Sequence, residues 1–233
     1  MNHLGLFAKF WEPGRVKTRL AKKTGPLHAS QVYFLFLRHL LTGLDDVGDL
    51  RTVGYSPVDK QAQFEDSIEL SWKLTPQSDG DLGERMEKFF VWAHQKNREF
   101  SDPGDRSCVV LIGSDTPHLP IKFISDAFDL LLHRSVVLGP STDGGYYLVG
   151  MSEKCYPIFE NVDWSTDRVL QQTIDRMEQD QIDYAFLPPM TDIDHFEDLI
   201  ELTDQLITKP ENFAARDQDL LEAIENITGG GRR

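Results

Sequence analysis

The sequence predicts an α/β fold whose mostly parallel central sheet is covered by helices on both faces. Short apolar segments typical of buried strands alternate with segments whose apolar residues recur at helical spacing. This alternation is typical of parallel strands connected by helices. The chain has 233 residues, of which 40% are hydrophobic, enough for one core. We therefore predict one domain over residues 1–233, with a disordered tail at 228–233.

The strands are predicted from short apolar runs between turn residues. The first, LGLFA, ends before a Pro-Gly turn, and SCVVLIG is the most strongly apolar. The predicted strands cover residues 4–8, 50–56, 107–113, 135–139, 146–151 and 182–187.

The helices are predicted from apolar residues at helical spacing. One is expected to be capped by Ser165-Thr166 and to end near Gln179, because hydroxyl side chains satisfy free backbone N–H groups at helix starts. The other predicted helices cover residues 28–42, 81–97, 121–133 and 194–207, the last closing the fold.

The charge distribution argues against a duplex nucleic-acid binder. The net charge is −14, whereas binding to a phosphate backbone needs a broad basic face. Residues 1–23 differ, since they hold six basic side chains and a single acid, Glu12. The six are Lys9, Arg15, Lys17, Arg19, Lys22 and Lys23. This local excess of positive charge indicates a small anionic ligand.

Cysteine usage and hydropathy indicate a cytoplasmic protein. Cys108 and Cys155 are far apart in sequence and form no CxxC pair, which suits a reducing compartment. No run of eighteen apolar residues predicts a membrane span, and the N-terminal apolar stretch is too short for a secretory signal.

Three loops rich in charged or small residues follow predicted strands. They are AKFWEPGRVKTR after the first strand, GSDTP after the third and GPSTDGG after the fourth. Ligands of open α/β sheets bind beyond the carboxyl ends of the strands. We therefore expect these loops to meet at one crevice.

The basic stretch PGRVKTRL can bind phosphate or be a solvated turn. Arg and Lys are common phosphate ligands, and a neighbouring glycine lets backbone N–H groups approach an anion. A nucleotide-binding P-loop is excluded because its required glycines would fall on Trp11 and Val16.

Acidic residues in the later loops are candidate metal ligands. Asp115 directly follows a buried strand and could hold Mg²⁺ or Mn²⁺ with phosphate oxygens, or cap its turn. Asp194 could be a second ligand or a helix cap. Asp143-Gly144-Gly145 could admit a ligand closely or form a simple hairpin turn. A serine hydrolase is not indicated, because GxSxG is absent around Ser114 and Ser141.

Six motifs in sequence order resemble a known family. They are FAKFWEPGRVKTRL, GDLGERM, LIGSDTPHLP, VVLGPSTDGGYYLVGM, WST at 164–166 and DIDHFEDL. The chain resembles, over about residues 3–200, bacterial glycosyltransferase-like proteins of the nucleotide-diphospho-sugar transferase fold (GT-A, Rossmann-like). These are often described as arsenosugar-biosynthesis-associated glycosyltransferases. The fold is shared with phospholactate guanylyltransferase and molybdenum-cofactor nucleotidyltransferases.

The resemblance implies roles for individual residues. The residues implied to bind the nucleotide are Gly14, Arg15, Lys17, Arg19, Asp81, Gly83, Arg85, Gly144 and Gly145. Asp115 would bind Mg²⁺ or Mn²⁺, with Asp192 or Asp194 completing the metal site. Asp143 is the candidate general base, and Lys17→Ala is expected to weaken nucleotide binding while leaving folding nearly untouched.

The function predicted on this basis is a metal-dependent transfer of sugar from a nucleotide sugar to a small-molecule acceptor. The alternatives are a nucleotidyltransferase that uses a nucleoside triphosphate, of the phospholactate guanylyltransferase type, and a non-catalytic nucleotide sensor. No nucleic-acid or membrane partner is expected.

Overall fold

Seven strands form one sheet in the computed structural model, which describes residues 1–68, 71–102 and 104–228. The strands are β1 (Asn2–Lys9), β2 (Leu50–Ser56), β3 (Lys73–Pro76), β4 (Cys108–Ile112), β5 (Val136–Pro140), β6 (Tyr146–Ser152) and β7 (Tyr184–Phe186). Their order is β3-β2-β1-β4-β6-β5-β7. Among the strands of the described residues, only β6 runs antiparallel to its neighbours, β4 and β5. The sheet is therefore mostly parallel, as predicted.

Helices cover both faces of the sheet. They are α1 (Thr18–Thr24), α2 (Pro26–Gly43), α3 (Gln61–Ser67), α4 (Leu82–Phe100), α5 (Ile121–Leu131), α6 (Val169–Gln179), α7 (Phe196–Thr208) and α8 (Ala215–Thr228). Alternate residues of a strand face opposite sides of a sheet. Val110 of β4 accordingly packs with α2 and α5, whereas Val109 and Leu111 pack with α4 and α6. No helix in the described ranges is both long and apolar enough to cross a membrane.

The predicted strands and longer helices are confirmed, with differences at their ends. β3, α1 and α3 are not among the predicted elements, and α7 does not close the fold because α8 follows it. The prediction that Ser165-Thr166 caps α6 is wrong. Arg168 precedes the helix, Ser165 has a left-handed backbone (φ 66°), and the Thr166 hydroxyl donates to the Asp163 carbonyl.

The predicted disordered tail lies almost entirely outside the described residues. Thr228, its first residue, is the last residue of α8, and residues 229–233 are not described. The carboxyl ends of β1 and β4 point to the same edge of the sheet, because the two strands are parallel and adjacent. The loops that follow them therefore start side by side.

Candidate active site

A cavity of about 810 Å³ lies at this edge of the sheet, and all three predicted loops line it. The expected convergence is therefore found. Its charged lining residues are Lys9, Arg15, Lys17, Arg19, Arg85, Asp81, Asp115, Asp143, Asp167, Asp192 and Asp194. Gly145 also lines the cavity, whereas Gly14, Gly83 and Gly144 are not part of its lining.

The ammonium of Lys17 is buried between two carboxylates. Its Nζ lies 2.5 Å from Asp115 Oδ1 and 3.0 Å from Asp194 Oδ1, and it donates to the Ile193 carbonyl at 2.7 Å. The Lys17 side chain is 2% exposed. Burial alone would lower the pKa of Lys17, but the two carboxylates outweigh it and raise the pKa. For Asp194, burial alone would raise the pKa of the carboxyl. The positive charge of Lys17 outweighs burial, so the pKa of Asp194 is lowered. Arg19 pairs with the other Asp194 oxygen at 3.5 Å.

Asp192 is a half-buried carboxylate held by two hydroxyls. Thr116 donates to its Oδ1 at 2.6 Å and Ser141 to its Oδ2 at 3.1 Å. Burial, together with the charges of Asp115 and Asp143, outweighs these hydrogen bonds and raises the pKa of Asp192 to about 6. Both oxygens are thus engaged with the loops after β4 and β5.

Asp143 presents an exposed carboxylate to the cavity. Its Oδ1 accepts a hydrogen bond from the Gly145 backbone N–H at 3.0 Å, within the turn between β5 and β6. β5 and β6 pair antiparallel, so the hairpin interpretation of this turn is confirmed. The hairpin turn does not exclude contact with a ligand, because Asp143 and Gly145 belong to the turn and also line the cavity.

Gly83 and Gly144 accommodate a neighbouring segment of the chain, residues 164–167. A Cβ on Gly83 would lie 2.7 Å from Trp164 Cζ2. Gly144 has φ +91°, and a Cβ there would overlap the Asp167 carbonyl oxygen. Both glycines are predicted nucleotide-binding residues, but in the structure each packs against a residue of the protein itself.

Segment 164–167 is the part of the cavity wall that sequence reasoning left without a role. Trp164 packs edge-on against Tyr146, with ring centroids 6.5 Å apart, and all four residues of the segment line the cavity. In the sequence, this segment is marked only by the motif WST at 164–166, which is part of the family resemblance but does not indicate a chemical role. An aromatic side chain beside a few polar groups is typical of a small-molecule pocket.

The remaining predicted nucleotide-binding residues lie just before α1 and at the start of α4. Arg15 is exposed and precedes α1, next to exposed Gly14. Arg85 donates from Nε to the Gly80 carbonyl at 2.9 Å. Asp81 caps α4, since its side chain accepts from the Glu84 N–H while Glu84 accepts from the Asp81 N–H.

The predicted ligand set Asp115, Asp192 and Asp194 does not form a preformed metal cage. Within the described ranges, no three His, Cys, Asp or Glu side chains are grouped as metal ligands. Asp115 and Asp194 are engaged by Lys17, and Asp192 by hydroxyls. Mg²⁺ and Mn²⁺ that arrive with substrate phosphates need only one or two carboxylates, and Asp115, 44% exposed, suits that mode.

Comparisons with known proteins agree with this architecture. Residues 44–166 match the family DUF2064, described as "Uncharacterized protein conserved in bacteria". A provisionally assigned nucleotide-diphospho-sugar transferase from Desulfovibrio desulfuricans G20 is 30% identical in sequence. The structural match covers 98% of this chain and 96% of the Desulfovibrio chain, with a TM-score of 0.82. The fold is thus the nucleotide-diphospho-sugar transferase-like α/β fold. No curated protein matches the chain.

More distant solved structures share the fold alone. The inositol-1-phosphate CTP transferase from T. maritima is 13% identical, with 97% of this chain and 96% of that chain covered and a TM-score of 0.52. A nucleotidyl transferase from Methanothermobacter thermautotroptrophicus is 12% identical, with coverages of 89% and 98% and a TM-score of 0.54. The fold neighbours thus include both sugar transferases and nucleotidyltransferases.

Proposed function

The chain belongs to the DUF2064 family of bacterial proteins, and we propose that it transfers a sugar from a nucleotide sugar to a small acceptor. The observation that carries the proposal is that Arg15, Arg19 and Arg85 line the same cavity as Asp115 and Asp143. The similarity to the Desulfovibrio protein over nearly the whole chain supports the same class of substrate. The arsenosugar-biosynthesis-associated type is part of this proposal, supported by the sequence motifs.

Arginines are suited to the diphosphate of the donor. Their planar guanidinium groups donate two parallel hydrogen bonds to phosphate oxygens. During transfer, negative charge accumulates on the departing nucleoside diphosphate, and fixed cations stabilise that charge in a cavity partly shielded from water. Arg15 and Arg19 therefore favour the transition state over the bound donor.

The charge of the cavity supports metal dependence. Its lining contains five cations and six carboxylates, so a diphosphate adds negative charge to a site that is already slightly negative. Mg²⁺ or Mn²⁺ bound to the phosphates would supply positive charge at the leaving group. Asp115, Asp192 and Asp194 are the carboxylates that would hold the ion.

Asp143 is the proposed general base. Its carboxylate is exposed to the cavity, and one oxygen is oriented by the Gly145 N–H. In the reaction, the acceptor hydroxyl oxygen bonds to the anomeric carbon as the bond from that carbon to the diphosphate oxygen breaks. The hydroxyl proton goes to Asp143. Asp192 is less suited to this role because hydroxyl groups occupy both of its oxygens.

The test is calorimetry of the full chain with UDP, GDP and CDP sugars and with the corresponding triphosphates, with Mg²⁺ or Mn²⁺ present. Release of nucleoside diphosphate is followed by chromatography. We expect metal-dependent binding of one nucleotide sugar, with binding weakened in Arg15→Ala. Arg134→Ala is the matched control, since it removes the same charge beside the amino end of β5, where Arg134 pairs with Asp183.

Two results would replace the proposal. Metal-dependent binding of a triphosphate with release of pyrophosphate would assign nucleotidyl transfer, in which the acceptor attacks the α-phosphorus. Nucleotide binding without turnover on a broad panel of hydroxyl-bearing acceptors would assign a sensor.

A further inference from the structure

Three protein oxygens already surround the Lys17 ammonium. An ammonium has three N–H donors, and three protein oxygens lie within 3.0 Å of Lys17 Nζ. Two of the three are carboxylate oxygens, of Asp115 and Asp194. A phosphate that approached Lys17 would therefore have to compete with these three oxygens for the ammonium.

Several features hold the ammonium at this position. Lys17 has a left-handed backbone (φ 45°, ψ 45°) directly before α1, a conformation that non-glycine residues adopt only when their surroundings impose it. The Phe36 ring lies 6.0 Å from Nζ. The Ile193 N–H donates to the Asp115 carbonyl at 2.9 Å, which fixes the two carboxylate-bearing segments to each other.

The same two carboxylates are the ones a divalent ion would use. Their side chains are 44% and 36% exposed, so each is reachable from the cavity. An ion that used both oxygens now bound to Lys17 would displace the ammonium or lie beside it, where like charges repel strongly. The ammonium thus already supplies the positive charge that this carboxylate pair needs.

We propose that Lys17 and a divalent cation compete for the Asp115–Asp194 pair, so that the ion binds there only when phosphates draw the ammonium away. Metal and nucleotide then bind cooperatively, because the phosphates supply new partners for Lys17 and the carboxylates become free. The nucleotide step rests on the proposed function. The competition itself does not, since it involves only the protein and the ion.

The competition is tested with Mn²⁺ alone, by electron paramagnetic resonance of the free ion. We expect Lys17→Met to bind Mn²⁺ at least about tenfold more tightly than the wild type, a change of about 1.4 kcal/mol. Lys122→Met is the matched control. It removes the same charge from a surface pair with Asp126, and its affinity should equal that of the wild type. A smaller gain in affinity, or an affinity of Lys17→Met equal to or weaker than that of the wild type, overturns the proposal.

A second measurement uses the wild type and does not depend on the variant folding. In protein labelled with ¹⁵N-lysine, the buried Lys17 ammonium should give an NMR signal that Mg²⁺ alone leaves in place and that Mg²⁺ with a nucleoside diphosphate shifts. A shift caused by Mg²⁺ alone overturns the proposal. If no nucleotide binds at all, the proposed function fails, whereas the Mn²⁺ comparison still decides the competition.

Discussion

Replacing Asp192 by asparagine should stabilise the metal-free protein at neutral and alkaline pH. The carboxylate of Asp192 is half-buried near two other acids, and its pKa is raised from 3.8 to about 6. Asparagine has the same shape, can still accept the Thr116 hydrogen bond and can donate to the Ser141 hydroxyl. The substitution therefore removes a poorly solvated charge while it keeps the surrounding contacts.

The magnitude follows from the difference in pKa between the folded and unfolded chains. A raised folded pKa means that the folded protein binds a proton more readily, so its stability falls as the pH rises from about 4 to about 6. Two pKa units correspond to about 3 kcal/mol, and partial exposure of the side chain reduces this to about 1–3 kcal/mol. Asp192→Asn should gain that amount at pH 8 and almost nothing near pH 4.

The assay is urea denaturation of both proteins at several pH values in the presence of a chelator. Asp143→Asn is the matched control, because Asp143 lies in the same cavity but is exposed, and it should gain little. A loss of stability in Asp192→Asn at pH 8, or a gain independent of pH, would refute the reasoning. Functional sites are often not optimised for stability, so the removal of a carboxylate from this cavity is expected to stabilise the fold.

Three further predictions concern stability. Gly144→Ala should lower the free energy of unfolding by more than about 2 kcal/mol, because its Cβ would overlap a backbone carbonyl. Gly14→Ala, at a similar φ but in open space, should lower it by only about 1 kcal/mol. Urea denaturation of the two variants measures the difference. Burial lowers the pKa of His3 and His94 to about 4, so the wild type should lose stability as the pH falls below about 6.5. His94→Gln should flatten that slope by about 1 kcal/mol per pH unit between about pH 5 and 6. Lys17→Met should cost about 1–3 kcal/mol at pH 7 by the same assay, since two carboxylates lose a buried partner that is only partly replaced by water.

The order of strands and helices was predictable where burial is extensive. The segment CVVLI is apolar throughout because β4 is covered on both faces, and such runs are easily recognised. β3 was missed because it has only four residues, none of them buried, at the edge of the sheet. α1 was missed because its seven residues include three cations and only one buried side chain, Leu20. Short elements at the periphery carry little periodic signal.

The location of the site was predictable, but the state of its side chains was not. The rule for the carboxyl ends of parallel strands brings three loops together from their order alone. The partners of Lys17 at Ile193 and Asp194 are 176 and 177 residues away, and no local pattern indicates them. The same limit applies to Gly83 and Gly144. A glycine permits close approach of another group to the backbone, but the sequence does not show whether that group is a ligand or a part of the protein.

The basic stretch near the N-terminus therefore contains two kinds of cation. Lys17 is buried and neutralises carboxylates of the protein itself, so its removal should lower stability and alter metal affinity together. Arg15 is exposed at the cavity, so its removal should weaken nucleotide binding by about 1–3 kcal/mol and leave the urea midpoint unchanged. Calorimetry and denaturation of the two variants separate these effects. If Lys17→Met and Arg15→Ala both lost nucleotide affinity with no change in stability, Lys17 would be a simple phosphate ligand. The distinction between the two kinds of cation would then be wrong.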